Sequence, residues 1–257
     1  MTTPTQPIPL LVHGADGRMG RAVIELALRG SDVEILGLLD LRGPGRSETP
    51  GDHSQFDRVP DRHEGAVIVD FSRKEAVLPL LRAMAGTGAR MVCGTTGLAT
   101  AQREALKEYS EESPVFYDEN MSYGISVLKR LLALAGPLLK DASDVEIVET
   151  HHRHKLDYPS GTALALARLI DPEAGVTSGR GDRSGIEAGV HVHSIRLGGV
   201  PGEHQVVFAT DREVVTLGHR ALSREVFAEG ALRAAGFVAA KKKGLYSMED
   251  LVRGADD

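Results

Sequence analysis

Short apolar segments alternate with helix-period segments through the first half of the chain. Segments with the 3.6-residue repeat of an amphipathic helix follow several of them, which predicts strand–helix units and a parallel, doubly wound sheet of the α/β class. The apolar segments, which predict buried strands, are IPLLVH (Ile8–His13), VEILGLLD (Val33–Asp40), AVIVDFS (Ala66–Ser72), RMVCGTTG (Arg90–Gly97) and SPVFYDEN (Ser113–Asn120). The stretch from Leu41 to Pro60 is rich in Gly, Pro, Ser and charge, and it predicts a long loop.

The pattern changes after Asn120. GISVLKRLLALAGPLL predicts a long amphipathic helix, and alternating apolar and polar positions predict strands in VHVHSIRLGG, EHQVVFATD and EVVTLGHRAL. These elements predict a second, α+β domain built on an open mixed sheet. Because few helices are predicted to cover the apolar face of this sheet, we expect another subunit to bury that face.

A glycine-rich turn joins the first predicted strand to the first predicted helix. Gly14, Gly17 and Gly20 stand at GxxGxxG spacing in GADGRMG. Glycine lets the backbone approach a pyrophosphate, and the helix N-terminus adds donors and positive potential. The glycines alone could equally mark a tight turn. Strand, turn and helix, with the acid Asp40 lying 20 residues beyond Gly20, together favour a dinucleotide site with Asp40 on the ribose.

Other polar groups near the predicted strand ends fit the same ligand. Arg42 and Arg46 could contact a 2′-phosphate, although such arginines are more often simply solvated. Ligands of parallel sheets lie off the carboxyl ends of the strands. Those ends are Gly14, Asp40, Ser72, Gly94–Thr96 and Asn120. Ordinary turn chemistry explains each position singly, and explains five together less well.

Titratable side chains are most concentrated in ETHHRHKLDYPSGTA, from Glu149 to Ala163. The alternation before this segment predicts a strand that ends at the histidines, and TALALARLI predicts a helix. Ser160, Gly161 and Thr162 would then lie at a helix start, where hydroxyls and free N–H groups bind a carboxylate or phosphate. Imidazoles and an ammonium beside them could bind that anion and donate a proton to it.

Three interpretations of this segment compete. A zinc site would combine Glu149 with the histidines, but His151 and His152 point to opposite faces of a strand, and no HExxH helix supports it. No metal is therefore expected. Structural histidines on an edge loop would leave the nearby Lys155 and the Pro-Ser-Gly-Thr helix start unexplained. The third interpretation is a reaction centre, in which the helix start holds a carboxylate, Lys155 adds charge and a histidine is the general acid.

Composition restricts the classes of function. The net charge of the 257-residue chain is −6, so neither nucleic acid nor an anionic membrane is expected as a partner. The single cysteine, Cys93, excludes an internal disulfide and fits a reducing cytoplasm. The opening MTTPTQPIPL lacks the features of a signal peptide, and no apolar run approaches the roughly 20 residues of a membrane helix. A cytoplasmic protein is therefore expected.

HHRHKLDYPSGTA resembles the signature of the 4-hydroxy-tetrahydrodipicolinate reductase (dihydrodipicolinate reductase) family of lysine and diaminopimelate biosynthesis. The resemblance covers nearly the whole chain, because these segments also match: GADGRMGR, Phe71–Ser72, CGTTG at Cys93–Gly97, PGEH at Pro201–His204, HRA at His219–Ala221 and GLYSMEDL. It implies reduction of a cyclic dicarboxylate by hydride transfer from NADH or NADPH to C4 of the ring, after which the adjacent carbon takes a proton. It also implies a Rossmann-type domain and a mixed-sheet domain that assembles a homotetramer.

The resemblance also implies roles for residues. Residues 1–122 and 219–257 are expected to form the dinucleotide-binding domain, and residues 123–218 the substrate-binding and tetramerisation domain. His151 and Lys155 match the proton-donor positions, and His152, Gly161 and Thr162 match substrate contacts, beside Ser160. Cofactor contacts match Gly14, Ala15, Asp16, Gly17, Arg18, Met19, Asp40, Gly94, Thr95, Thr96, Asp118, Glu119, Asn120 and Met121.

Some positions depart from the family pattern. Tyr158 stands where Ala often precedes the Pro, and Asp118–Met121 stands where AxNF is frequent. Leu41 follows the ribose acid where a basic residue is frequent, with Arg42 one position on, so NADH is expected to serve at least as well as NADPH. The alternatives are another NAD(P)-dependent amino-acid dehydrogenase on the same scaffold, or a nonenzymatic NAD(H) sensor. A sensor has no use for a proton donor beside an anion site.

Overall fold

The computed structural model of the chain describes residues 6–39, 54–59, 65–172, 176–178 and 189–254. The chain divides into two compact units, of which the first comprises Met1–Tyr123 and Arg224–Asp257 and the second Gly124–Ser223. Within the described ranges, no helix has the length and apolar character that a membrane span needs.

The described elements follow one another along the chain as strands and helices, with the bounds given next. They are β1 (Ile8–His13), α1 (Arg18–Arg29), β2 (Val33–Leu39), β3 (Gln55–Phe56), β4 (Val67–Asp70), α2 (Lys74–Met84), β5 (Arg90–Cys93), α3 (Thr100–Ser110), β6 (Pro114–Tyr117), α4 (Tyr123–Leu139), β7 (Asp144–His151), α5 (Gly161–Ile170), β8 (Val176–Ser178), β9 (Val190–Arg196), β10 (Glu203–Ala209), β11 (Val214–Arg220), α6 (Glu225–Ala239), β12 (Gly244–Tyr246) and α7 (Met248–Arg253).

The first unit is built on a parallel sheet with the strand order β12-β6-β5-β4-β1-β2-β3. Without β12, this is the 3-2-1-4-5-6 order of the doubly wound dinucleotide-binding fold, which confirms the predicted Rossmann-type domain. Apolar clusters lie on both faces of the sheet: α1 and α6 contribute to one, and α2 and α3 to the other. The strands are therefore buried on both sides, which is why their sequences are continuous apolar runs.

Two edge strands of this sheet were not predicted. β3 lies inside the stretch predicted as a loop and pairs with the end of β2, while β12 lies in the final GLYSMEDLV segment and pairs with β6. Both strands have only two or three residues, which is too short for an alternation to be visible in the sequence. β6 ends at Tyr117 rather than near Asn120, because the next residues form a turn held by Asp118.

The second unit contains a mixed five-stranded sheet with the order β11-β10-β7-β9-β8. β7, β8 and β9 are parallel, whereas β10 pairs antiparallel with both β7 and β11. β11 pairs with β10 as far as Arg220, so the strand continues past the predicted domain boundary at residue 219.

One face of this mixed sheet is covered and the other stays open. α4 and α5 pack on the apolar face, where Leu128, Leu132 and Leu166 meet Ile147 and Phe208. The expectation that the apolar face lacks helix cover is therefore wrong. The face that stays open, within the described part of this unit, carries a mixture of apolar and polar side chains such as Ile195, Val214, Gln205, Thr216 and Arg220.

Candidate active site

The predicted strand, loop and helix around the histidines are confirmed. β7 ends at His151, and α5 begins at Gly161 with Ser160 as its N-cap, whose Oγ accepts the Ala163 N–H at 3.1 Å. Side chains alternate along β7, and Glu149 and His151 both lie on its buried face. A titratable pair therefore stands directly before the loop that leads to the α5 N-terminus.

Glu149 is a fully buried carboxylate surrounded by donors. Its Oε1 accepts from Nη2 of Arg196 at 2.8 Å and from the Ser160 N–H at 3.2 Å. Its Oε2 accepts from Nη1 of Arg196 at 3.0 Å and from Nδ1 of His151. Burial alone would raise the pKa of Glu149, but the hydrogen bonds from His151 and Arg196 outweigh burial and lower the pKa to about 2. Glu149 is therefore ionised at neutral pH.

His204 lies on the same buried face. The antiparallel register of β10 and β7 places His204 opposite Glu149. Its ring meets the His151 ring edge-on, with 5.1 Å between centroids, and its Nε2 shares a hydrogen bond with Ser160 Oγ at 3.3 Å. Burial, and after it the charge of His151, lowers the pKa of His204 to about 3. His204 is therefore neutral near neutral pH and acts as a packing partner rather than a proton donor.

Among the described residues, one grouping has the spacing of metal ligands, and its members differ from those of the zinc alternative considered from the sequence. An oxygen of Glu149 and ring nitrogens of His151 and His204 lie within 4.8 Å of one another. Both Glu149 oxygens already accept from the Arg196 guanidinium, whose permanent positive charge opposes a second cation at the same carboxylate. The geometry fits a hydrogen-bonded carboxylate–imidazole pair better than a metal centre.

The loop between β7 and α5 carries the other predicted side chains. Lys155 Nζ forms an ion pair with Asp157 Oδ1 at 2.8 Å. Partial burial raises the pKa of Asp157, but the Lys155 ammonium outweighs that effect and lowers it. The ring of His152 lies beside that of His154, with 6.4 Å between centroids.

The start of α5 is accessible. Gly161 is exposed, and a Cβ built on it meets no described atom within 4 Å. Thr162 is half-buried in the same turn, and no acidic residue lies in that turn. The Ser160 N–H donates to Glu149, and the Gly161 N–H donates to Asp157 and helps to lower its pKa. A substrate carboxylate at this helix start would therefore replace Asp157 as the partner of the Gly161 N–H.

The glycine turn of the first unit has no room for side chains. Gly14 has a φ of 82°, and a Cβ on it would lie 2.8 Å from the Phe71 carbonyl oxygen. A Cβ on Gly20 would lie 2.3 Å from the Gly14 carbonyl oxygen, so α1 packs directly on the turn. α1 has Gly17 as its N-cap, without a side-chain cap or an acidic residue in its first turn. This is the backbone cradle that a pyrophosphate requires.

A second buried carboxylate, which the sequence did not reveal, lies at the end of β4. Asp70 accepts from His13 Nδ1 at 2.7 Å, from Thr95 Oγ1 at 2.7 Å and from the Ser72 N–H at 3.2 Å. Burial would raise the pKa of Asp70, but the hydrogen bond and charge of His13, with the other donors, lower it. These bonds join the carboxyl ends of β1, β4 and β5, the sheet edge at which ligands of this fold bind.

The other predicted cofactor residues occupy two turns at the same edge. A Cβ on Gly94 would lie 2.2 Å from the Phe71 ring, so a larger residue there would displace the ring, and Thr96 is exposed beside the buried Thr95. In the second turn, the Asp118 carboxylate accepts hydrogen bonds from the N–H groups of Asn120 and Met248. The Glu119 carboxylate accepts from the Tyr117 hydroxyl, and the Met121 side chain lies in the core. Because these side chains are engaged within the fold, we expect this turn to contact a ligand through its backbone.

The adenosine end of the predicted site is only partly described. Asp40, Arg42 and Arg46 lie outside the described residues. Arg224, which was not predicted, lies near Arg18 at the start of α1: burial, and then the positive charge of Arg18, lowers the pKa of Arg224. Two guanidinium groups that repel each other beside a helix N-terminus favour a bound anion.

Three residues of the second-unit site were not predicted to function there. Glu149 was considered only as a metal ligand, although its spacing of two from His151 on a strand already places both side chains on one face. Arg196 and His204 come from β9 and β10, and only the strand register brings them to β7.

Comparisons with known proteins cover nearly the whole chain. The family model described as dihydrodipicolinate reductase, N-terminus, matches residues 8–121, and the model described as dihydrodipicolinate reductase, C-terminus, matches residues 124–252. A 4-hydroxy-tetrahydrodipicolinate reductase of Caldanaerobacter subterraneus subsp. tengcongensis is 39% identical over 255 residues, covering 96% of this chain and 98% of the relative. One from Desulfovibrio desulfuricans is 38% identical over 256 residues, covering 94% of this chain and 98% of the relative.

A solved structure shows the same fold. The dipicolinate-bound dihydrodipicolinate reductase of Paenisporosarcina sp. TG-14 matches with a TM-score of 0.75 at 24% identity, covering 95% of this chain and 99% of that chain. The two family models meet at the first junction between the units, and the C-terminal model continues beyond Ser223 into the last segment of the first unit. The relatives span both units. The strand–loop–helix histidine site, the glycine turn and these full-length matches agree: the chain belongs to the dihydrodipicolinate reductase family.

Proposed function

We propose that this protein is an NAD(P)H-dependent 4-hydroxy-tetrahydrodipicolinate reductase of lysine and diaminopimelate biosynthesis. It reduces 4-hydroxy-tetrahydrodipicolinate, via dihydrodipicolinate, to tetrahydrodipicolinate. The observation that carries the proposal is the segment from Glu149 to Thr162, where a buried carboxylate–imidazole pair, a lysine and an exposed helix start follow one another. Membership of the family and the names of the relatives support the same reaction, and the dipicolinate in the solved neighbour is a dicarboxylate of the expected class.

The first unit is the dinucleotide-binding domain. Its glycine turn fits a pyrophosphate, because a Cβ on Gly14 or Gly20 would collide with backbone atoms that line the turn. When bound, the cofactor supplies the hydride that reaches C4 of the substrate ring. The turn and the helix start hold the phosphates, the β5 and β6 turns hold the nicotinamide half, and the end of β2 holds the ribose. The residues proposed for these contacts are Gly14, Ala15, Asp16, Gly17, Arg18, Met19, Asp40, Arg42, Gly94, Thr95, Thr96, Asp118, Glu119, Asn120 and Met121.

The second unit is the substrate-binding domain. Ser160, Gly161 and Thr162 hold one substrate carboxylate at the α5 N-terminus. His152 and Lys155 contact the substrate from the preceding loop. Lys155 is already paired with a carboxylate, that of Asp157, so binding exchanges one carboxylate partner for another. The ammonium then also favours the negative charge that develops on the ring.

His151 donates the proton that completes the reduction. The ring carbon next to C4 receives it after the hydride has arrived. General acids contribute about 10²- to 10⁴-fold to such steps, so His151→Ala and Lys155→Ala should each lower kcat by roughly 10²-fold or more. Cofactor affinity should hardly change in either variant, because both residues lie outside the dinucleotide-binding domain.

A steady-state assay tests the proposal. Purified protein is mixed with 4-hydroxy-tetrahydrodipicolinate and either NADH or NADPH, and the loss of reduced nicotinamide absorbance is followed. Turnover is expected with both cofactors, with NADH at least as efficient as NADPH. Cofactor binding without turnover would instead indicate a sensor, and wild-type turnover in His151→Ala would overturn the assignment of the proton donor.

The assembly and location are also proposals. We propose a homotetramer formed through the open face of the mixed sheet, where apolar side chains such as Ile195 and Val214 are exposed. Light scattering should then give four times the chain mass. A cytoplasmic location is supported by the lone, buried Cys93, which suits a reducing compartment.

A further inference from the structure

We infer that Glu149 and Arg196 are positioning residues that hold His151 in one orientation and one tautomer, with its Nε2 as the proton donor. This rests on the proposed function, in which His151 gives the proton. It goes beyond that function because it names which nitrogen reacts and which residues decide it.

The first step is the contact between Glu149 and His151. Oε2 of Glu149 bonds Nδ1 of His151, and the Glu149 side chain is fully buried. A carboxylate can only accept hydrogen bonds when ionised, so Nδ1 must carry a proton. Nε2 is the ring nitrogen left for the substrate.

The second step is the hold on Glu149 itself. The Arg196 guanidinium meets both oxygens of Glu149, at 2.8 and 3.0 Å, in a planar fork that fixes the carboxylate in direction as well as in charge. Nη2 of Arg196 also donates to the Asp157 carbonyl oxygen at 2.6 Å. Asp157 is the ion-pair partner of Lys155, so one guanidinium fixes both the His151 partner and the loop that carries Lys155.

The third step is access to Nε2. A Cβ built on Gly202 would lie 3.2 Å from His151 Nε2 and 3.5 Å from its Cδ2. A side chain at this position would therefore occupy the edge of the ring that the substrate must reach. Gly202, from the PGEH segment, keeps a side chain away from that edge.

The proton transfer balances with these roles. The doubly protonated His151 gives the Nε2 proton to the ring carbon beside C4, whose electron pair forms the new C–H bond. The N–H bonding pair stays on Nε2, and His151 becomes neutral in the Nδ1–H tautomer, still bonded to Glu149. Glu149 remains ionised throughout beside Arg196, and solvent water returns the proton to Nε2.

The test compares Glu149→Gln with a matched control on the same sheet. Glu146 and His193 form another Glu–His pair, with 2.6 Å between Oε2 and Nε2, on the opposite face of β7 and β9. Glu149→Gln should lower kcat by at least about 10²-fold, since the equivalent change behind a catalytic imidazole costs about 10⁴-fold in the Ser-His-Asp triad. KM should change by less than about 3-fold, because Glu149 does not touch the substrate. Glu146→Gln, once light scattering shows the same assembly as the wild type, should leave both constants at the wild-type value.

A spectroscopic measurement gives a readout independent of activity. ¹⁵N NMR of the imidazole nitrogens, recorded on the singly protonated ring and with the His151 signals assigned from the His151→Gln spectrum, should show the remaining proton on Nδ1 in the wild type and in Glu146→Gln. Glu149→Gln should lose that preference, because an amide can donate to Nδ1 as well as accept from it. An Nε2–H tautomer in the wild type, or an unchanged kcat in Glu149→Gln, would overturn the inference.

Two further variants keep the inference testable if Glu149→Gln does not fold. Arg196→Lys keeps a charge but loses the fork, and it should lower kcat by about 10-fold or more while the tautomer preference weakens. Gly202→Ala should lower kcat by about 10-fold or more with the Nδ1–H tautomer unchanged, because its Cβ would crowd Nε2 and not Nδ1. Thermal denaturation of this variant measures the separate cost of a side chain at the positive φ of Gly202. Wild-type turnover in both would overturn the inference. If the wild type showed no turnover in the reductase assay but its His151 carried the proton on Nδ1, the proposed function would be contradicted and the assignment of the tautomer would stand.

Discussion

Asp70 in the first unit and Glu149 in the second are two buried carboxylates that keep their charge in different ways. Both side chains are 0% exposed, and both lie at or near the carboxyl end of a strand. Asp70 receives an imidazole, a hydroxyl and a backbone N–H. Glu149 receives an imidazole, a backbone N–H and a guanidinium fork.

The difference follows from what each imidazole partner does. A buried charge costs several kcal/mol unless it is paired, so each carboxylate needs a dependable counter-charge or many donors. His151 loses a proton during the proposed reaction and cannot be a constant counter-ion for Glu149. Arg196 supplies the permanent charge instead. His13 has no proposed catalytic role, and the Asp70 network has only to hold three strand ends together.

Removing the permanent cation should have the largest effect. Arg196→Met leaves the Glu149 carboxylate buried without its guanidinium, and we expect the free energy of unfolding to fall by about 3–5 kcal/mol. Urea denaturation of the variant and of the Glu149→Gln/Arg196→Met double variant measures this. The double variant should be the more stable of the two, since it buries no unpaired charge. If Arg196→Met left the free energy of unfolding unchanged, Glu149 would not depend on a permanent cation, and the two carboxylates would not differ in this respect.

Lowering the pH should have the next largest effect on the free energy of unfolding, and this effect should come from His204. The unfolded state takes a proton on this histidine below about pH 6.5, whereas the folded state resists until about pH 3. Between these values the unfolded state binds more protons, so stability falls as the pH falls. From about pH 8 to about pH 5 the loss through His204 should be about 2 kcal/mol.

The variant His204→Gln isolates this contribution, because glutamine can still bond Ser160 but does not titrate. Denaturation at both pH values should show a smaller loss for the variant than for the wild type. Glu149 contributes a further loss of stability only at lower pH, because its pKa is lowered from 4.5 to about 2 in the folded state. That loss occurs as the pH falls from about 4.5 to about 2. Equal losses in wild type and variant would show that His204 does not set the pH dependence.

Neutralising Asp70 should cost less than removing Arg196. Asp70→Asn keeps the shape of the side chain, and the amide oxygen can still accept from one or two of the donors that surround Asp70. We expect a loss of about 1–2 kcal/mol, the usual cost of imperfectly satisfied buried donors. Thermal and urea denaturation measure it. A loss as large as that of Arg196→Met would mean that the two carboxylates depend equally on a cation.

The smallest effect should come from one neutral donor of the Asp70 network. Thr95→Val removes the hydroxyl at 2.7 Å from Asp70 while keeping nearly the same volume. We expect a loss of about 1 kcal/mol, the value of a single buried hydrogen bond. Urea denaturation beside Thr96→Val, whose residue is exposed, separates the hydrogen bond from a general effect of the substitution.

Prediction from the sequence succeeded where the signal is local. The strand that ends at the histidines, the helix that starts after Ser160 and the glycine turn before α1 are all spelled out by neighbouring residues. It failed for β3, β8 and β12, which are too short to show a period, and for the helix cover of the mixed sheet. That cover depends on where α4 and α5 pack, and no local pattern states this.

The sequence by itself determined the order of the longer strands and helices, the two-unit α/β and α+β plan, and the segment that carries His151, Lys155 and the helix start. Only the tertiary structure decided which distant side chains meet them. Arg196 lies 47 residues from Glu149, and His13 lies 57 residues from Asp70. Such partners depend on strand register, in which a slip of one residue would turn every side chain to the other face of the sheet.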